Sequence, residues 1–318
     1  MDRPALYITR LLPPPVLEAI PRRYRLLTSP SNEPPTAIEL RQGFTEADAV
    51  ICTLSDRIDA SLLSHTTRLK IIANYAVGYN NIDVAAAAQR GIVISNTPDV
   101  LTEATADLTW ALLLSVSRRV VEGDAWVRTA TWPGWRPTQM LGAEVSGKTL
   151  GIIGMGRIGQ AVARRAVGFG MPVIYAGRRS IASPPGVTWV QRSLSEVLAE
   201  SDFLSLHVPL TEATHHLIGP DELARMKPTA FLINTSRGPV LDETALVSAL
   251  EAGTIAGAGL DVYEYEPVVT TELRGLPNVV LLPHLGSATL ETRVRMGLMC
   301  LKNIAAVLNG ETAPNQVR

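Results

Sequence analysis

"GIIGMGRIG", Gly151–Gly159, decides the fold. Glycines 154, 156 and 159 follow an apolar strand, "KTLGII", and lead into "IGQAVARRAVG", a stretch with helical patterning. In a strand–turn–helix setting each glycine has a separate task. Gly154 allows the tight turn, Gly156 lets a pyrophosphate approach the backbone, and Gly159 lets the helix pack closely on the strand. The helix start adds free N–H groups and the positive end of its dipole. Gly154, Gly156 and Gly159 are therefore expected to line a dinucleotide site.

The next strand ends in "VIYAGRRS", Val173–Ser180. An Asp or Glu is expected there to hold the adenosine ribose, yet no acidic residue occurs between Glu144 and Glu196. Gly177, Arg178, Arg179 and Ser180 stand in its place. A carboxylate repels a 2′-phosphate, whereas guanidinium groups bind it through charge-assisted and often bidentate hydrogen bonds. The expected cofactor is NADP(H), with NAD(H) left open as the alternative.

Strand candidates alternate with helical stretches on both sides of this turn. Upstream lie Ala5–Thr9, Tyr24–Thr28, Asp48–Leu54, Leu69–Asn74 and Gly91–Thr97. Downstream of Lys148 lie Thr149–Ile153, Pro172–Ala176, Asp202–His207, Ala230–Asn234, Ala256–Val262 and Val279–Leu282. Such alternation indicates α/β architecture with doubly wound parallel sheets, whose ligands sit beyond the carboxyl ends of the strands. Between the two series one long apolar helix is expected from an N-cap at Thr102 through Val127, buried between domains or between subunits. The Pro- and Trp-containing stretch Thr131–Gly147 reads as an ordered surface loop, and a final helix is expected over Thr289–Asn309.

The chain has 318 residues and a net charge of −1, with 46% hydrophobic and 19% charged residues. That suits a globular protein and gives no global basic field for nucleic acid or an anionic membrane. The start of the chain has no long apolar h-region and no run approaches a membrane span. The two cysteines, Cys52 and Cys300, lie in separate apolar runs and are expected to be buried free thiols in a reducing, cytoplasmic setting.

Three further strand ends carry charged groups: Arg237 in "FLINTSRGPVLDE", Asp261 and Glu266 in "AGAGLDVYEYEP", and His284 in "VVLLPHLGSAT". An Arg can fork onto a substrate carboxylate and polarise the adjacent carbonyl. A His can donate a proton to that oxygen as hydride reaches the carbon, and a neighbouring Glu favours the protonated ring. His215-His216 is not expected to bind a metal, because adjacent side chains diverge and no third ligand stands near in sequence. No metal site is expected elsewhere.

End to end, the chain resembles the D-isomer-specific 2-hydroxyacid dehydrogenase family, on "YAVGYNNIDV", "GIIGMGRIGQAVARRA", "LHVPLTEATHHLIG", "MKPTAFLINTSRGPVLDETAL", "AGLDVYEYEP" and "LLPHLGSAT". The likeness within the family is to glyoxylate/hydroxypyruvate reductases. The resemblance implies two Rossmann-like domains. A flavodoxin-like substrate domain (1–99 and 288–318) surrounds an inserted dinucleotide-binding domain (100–287). It implies Arg237 as substrate clamp, His284 as acid/base and Glu266 as its orienting partner. It further implies cofactor contacts at Thr105, Met155, Arg157, Ile158, His207, Val208, Pro209, Thr214, Thr235, Ser236, Arg237, Asp261, His284 and Gly286. Substrate contacts are implied at Leu54, Ser55, Ala76, Val77 and Gly78. Trp135 is implied to reach the partner subunit's site in a homodimer. The implied activity is NAD(P)H-dependent reduction of small 2-oxo acids. Alternatives are 3-phosphoglycerate, D-lactate or phosphonate dehydrogenases, or a dinucleotide-sensing protein like the family's corepressors. The chain stops soon after its last helix, so no appended regulatory domain is expected.

Overall fold

The computed structural model describes residues 3–28 and 31–317. The chain divides into two compact units, residues 1–101 with 287–318, and residues 102–286. The first unit runs β1 (Ala5–Ile8), α1 (Pro14–Glu18), β2 (Arg25–Thr28), α2 (Ala37–Glu46) and β3 (Ala49–Cys52). It continues through α3 (Ala60–Ser64), β4 (Ile71–Asn74), α4 (Val84–Gln89) and β5 (Val93–Ser95). Among the described residues its sheet is five-stranded and parallel, in the order β2-β1-β3-β4-β5, the flavodoxin-like order.

The second unit begins with α5 (Thr102–Ser117) and α6 (Val120–Arg128), followed by β6 (Leu150–Ile153), α7 (Arg157–Ala166), β7 (Val173–Ala176) and β8 (Trp189–Gln191). Then come α8 (Leu194–Glu200), β9 (Phe203–Leu206), α9 (Pro220–Ala224), β10 (Phe231–Asn234), α10 (Glu243–Glu251), β11 (Gly257–Leu260), α11 (Thr271–Gly275) and β12 (Val279–Leu281). The seven strands form one parallel sheet in the order β12-β11-β10-β9-β6-β7-β8. The chain winds outward from β6 in one direction and from β9 in the other. The switch point therefore lies between the carboxyl ends of β6 and β9, where such sheets bind ligands. The edge strand β8 is missed by pattern reading; it is three residues long and follows a Pro-Pro-Gly turn.

The last helix, α12 (Leu290–Leu308), is capped by the Thr289 side chain and packs on β4 and α1 in the first unit. Met296, Cys300, Leu301 and Ile304 close one core with Leu6, Ile8, Val16, Ile51 and Ile71. Cys52 and Cys300 are both free and buried, and burial pushes both thiols well up. No helix among the described residues is long and apolar enough to cross a membrane.

Two expectations about the apolar helix need correction. It begins at Thr102 itself and is two helices, because the Ser117 carbonyl accepts from Ala143 N–H (2.8 Å) instead of continuing the helical ladder. Arg119 then turns the chain at φ 53°. Helix α5 packs on β10, β11 and α7 of its own unit, with Trp110 stacked on Phe169 at 4.6 Å and its Nε1–H donating to the Val162 carbonyl (3.1 Å).

Helix α8 seats on β6 at Gly151, where a Cβ would lie 1.9 Å from Ser201 Oγ and 2.9 Å from a Val197 methyl. Gly151→Ala is expected to cost about 1–3 kcal/mol through overpacking. Urea unfolding monitored by circular dichroism measures it; an unchanged midpoint would show that the helix shifts freely.

Candidate active site

The glycine turn follows β6. Gly154 sits at φ 97°, and a Cβ there would lie 2.7 Å from the His207 carbonyl carbon and 2.8 Å from Val208 N, at the end of β9. Only glycine meets both demands. A Cβ on Gly159 would lie 2.3 Å from the Gly154 carbonyl oxygen, so this glycine sets the close approach of α7 to the turn. Gly156 differs: nothing lies within 4 Å of its Cβ position. Space thus opens at the N-terminus of α7, a ten-residue helix whose cap residue is Gly156 itself and has no side chain to satisfy its first N–H groups. These features fit a dinucleotide pyrophosphate. Met155 is buried beneath the turn, Ile158 is half-buried, and Arg157 is exposed.

At the end of β7, Gly177, Arg178, Arg179 and Ser180 are all exposed. The turn is held from below: the Tyr175 hydroxyl accepts from Ile181 N–H (2.8 Å), and Gln191 Nε2–H donates to the Gly177 carbonyl (2.9 Å). After β9, the His207 ring pairs with Ser205 Oγ (2.8 Å), and burial pushes its pKa down to about 3, so the ring is neutral. Val208 and Pro209 lead into a turn closed by the Thr214 hydroxyl donating to the Pro209 carbonyl (2.6 Å).

The loop after β10 carries Arg237. Asn234 folds it, accepting at Oδ1 from Ser236 N–H (3.0 Å) and the Ser236 hydroxyl (2.9 Å) while its Nδ2–H donates to the Arg237 carbonyl (3.0 Å). Thr235 pairs its hydroxyl with Thr109 of α5 (2.9 Å). Next comes Gly238, where a Cβ would lie 1.8 Å from the Tyr263 carbonyl oxygen. That contact lays the Arg237 loop directly on the segment leading to Glu266. Burial lowers the Arg237 pKa while Glu266 opposes the shift, and the guanidinium stays charged.

His284 follows β12 at φ 55°, its N–H donating to the Asp261 carbonyl (2.9 Å). The buried Asp261 carboxylate accepts from Leu285 N–H (2.6 Å) and Gly286 N–H (2.8 Å). Thr105 donates to the Gly286 carbonyl (3.0 Å), a bond that steadies the same turn. His284 Nδ1 meets Glu266 Oε2 at 2.8 Å, and Glu266 Oε1 accepts from Tyr263 N–H (3.0 Å). Burial raises the Glu266 carboxyl, but the His284 bond and charge, the Tyr263 N–H and Arg237 outweigh it and hold the carboxyl low. With Nδ1 occupied by the carboxylate, Nε2 is the ring atom left for a substrate oxygen.

In the first unit, the Ala76 carbonyl accepts from Thr97 N–H (2.9 Å) and the Val77 carbonyl from Asn96 Nδ2–H (2.7 Å). Because a trans peptide points its N–H opposite its carbonyl, the N–H groups of Val77 and Gly78 turn away from those partners. Leu54 and Ser55 are exposed on a loop held by Asp56 Oδ2, which accepts from Thr53 N–H (2.7 Å). Trp135 is 79% exposed on the second unit.

Pattern reading missed Asn234, Gly238 and Tyr263, which position the catalytic candidates without bearing their chemistry; only their adjacency to Arg237 and Glu266 could have flagged them. The expected divergence of the His215 and His216 side chains is not what the structure shows. With His216 at φ 48°, the two rings stand 4.2 Å apart and converge with Glu264, one ligand atom from each lying within 4.8 Å of the others. Adjacent side chains diverge on an extended or helical backbone, and the left-handed residue removes that divergence.

Residues 110–286 match the sequence profile of the D-isomer specific 2-hydroxyacid dehydrogenase NAD binding domain. The chain belongs to the D-isomer-specific 2-hydroxyacid dehydrogenases, which are nicotinamide-dependent oxidoreductases. It is 50% identical over 321 residues to a glyoxylate reductase of Thermococcus litoralis, spanning 99% of this chain and 97% of that one. To a glyoxylate reductase of Aeropyrum pernix it is 49% identical over 325 residues, spanning 100% and 96%. Among solved structures it is similar to the NADPH-dependent glyoxylate/hydroxypyruvate reductase of Sinorhizobium meliloti in complex with NADP and malonate. That match has a TM-score of 0.86 and 36% identity, covering 99% of this chain and 97% of the other.

The low Glu266 pKa has a consequence for stability. A carboxyl depressed in the folded state contributes stability above its ordinary pKa and loses it as pH falls through the folded value. The stability gap between wild type and Glu266→Gln is therefore expected to be full above the ordinary carboxylate range and to close as the solution is acidified below it. Urea midpoints across that range measure it; a gap independent of pH would contradict the pairing.

Proposed function

We propose that the protein is an NADPH-preferring reductase of small 2-oxo acids, converting glyoxylate to glycolate and hydroxypyruvate to D-glycerate. The observation that carries this is the 2.8 Å His284–Glu266 pair, mounted at the same carboxyl edge of the sheet as the glycine turn and the Arg237 loop. The bound dinucleotide supplies the hydride that the carbonyl carbon accepts. Arg237 clamps the substrate carboxylate and polarises the adjacent carbonyl. His284 gives its Nε2 proton to the carbonyl oxygen, while Glu266 fixes the ring through Nδ1. The exposed Gly177–Ser180 turn, with no carboxylate on it, supports the preference for a 2′-phosphate.

The exposed Val127 (61%), Trp135 and Leu141 (67%) support a homodimer in which the partner subunit's Trp135 reaches the substrate site. The two buried free thiols support a cytoplasmic setting.

Oxidation of NADPH in the presence of glyoxylate, followed by near-ultraviolet absorbance, tests the activity. His284→Ala is expected to lower kcat about a hundred- to ten-thousandfold with NADPH affinity retained. Turnover at the wild-type rate would refute the role of His284, and no turnover of any 2-oxo acid by wild type would refute the activity. Cofactor choice is tested separately. A Cβ at Gly177 meets nothing nearer than 3.8 Å, so an aspartate fits there. Gly177→Asp with Arg178→Gln should move the ratio of kcat/KM for NADPH over NADH at least about tenfold towards NADH. An unmoved ratio would remove this turn from the account of specificity.

A further inference from the structure

We propose that His215, His216 and Glu264 form a zinc-binding site on the nucleotide-binding unit, separate from the catalytic pair. Two imidazoles and one carboxylate are a donor set suited to zinc rather than to magnesium or calcium, which prefer all-oxygen ligands. His216 Nε2 and Glu264 Oε1 are already 2.7 Å apart, and a cation would take the place of the proton they share. One ligand atom of His215 lies within 4.8 Å of both. Zinc bonds of about 2.0–2.2 Å place tetrahedral ligands roughly 3.3 Å apart, so small side-chain rotations close the set and leave the fourth position to water.

Behind His216, Asp242 Oδ2 lies 3.8 Å from Nδ1, too far for a hydrogen bond but near enough for its charge to favour a cation on the ring's other nitrogen. Asp242 is itself held, its Oδ1 accepting from Ala245 N–H (2.9 Å) as the cap of α10. The His216 backbone is fixed by its N–H donating to the Pro239 carbonyl (2.8 Å). Glu264 is 10% exposed and His216 36%, so a cation can reach the site from solvent and meets one largely held ligand, the Glu264 carboxylate. The ion would tie the end of the Pro209–His216 segment to the strand-end segment two residues before Glu266.

Isothermal titration of zinc into the cofactor-free full chain, in a non-chelating buffer, tests this without any measurement of turnover. The expected result is one site per chain with a Kd on the order of micromolar, unchanged in His284→Ala. His215→Ala alters an exposed side chain and keeps the fold; it should weaken binding at least about tenfold, as should Asp242→Asn. Thermal denaturation should show zinc raising the Tm of wild type and not of His215→Ala. No saturable binding up to about 1 mM, or binding undiminished in His215→Ala, would overturn the site.

Discussion

The Asp261 carboxylate, buried at the end of β11, organises the region where the chemistry is assembled. It accepts from the amides of Leu285 and Gly286, while its own backbone carbonyl takes the His284 N–H. Burial raises the pKa of this carboxyl against the pull of those amides. Three bonds from one residue thus hold a histidine at a positive φ, a conformation of higher energy that a loop alone would not maintain. The ring then has one direction left to face, and Glu266 meets it there.

The same logic of backbone against backbone runs through the rest of the site. Gly238 lies against the Tyr263 carbonyl, and Gly154 against the peptide joining His207 to Val208. These contacts decide which strand ends share a surface, and the charged side chains then only need to extend. Hydrogen bonds from Asn234 and Tyr263 remove the remaining freedom. The charged residues perform the proposed reaction, and their placement belongs to Asp261 and to small or neutral neighbours.

The sheets and the chemistry-bearing residues were legible because each leaves a local signal. Buried parallel strands are short apolar runs, and the glycine turn has a spacing dictated by its three tasks. What escaped depends on contacts between distant positions. The break after Ser117 follows from Ala143, twenty-six residues on in sequence (143 − 117), taking a carbonyl that the helix would otherwise use. Strand β8 is too short for any periodicity to show. Glu264 reaches His216 only after the chain has passed through two more strands. The discontinuity of the first unit is invisible to periodicity and entered through family resemblance.

That discontinuity bears on how the protein is made. The face of the first sheet that α12 covers includes Leu6, Ile8, Ile51 and Ile71, all synthesised long before Met296, Cys300 and Ile304. On the ribosome the early strands therefore emerge with one apolar face bare, while the contiguous second unit can complete its core from residues already translated. The order of completion is then the reverse of the order of synthesis. The N-terminal half is the part most in need of shelter from aggregation until the final helix leaves the exit tunnel.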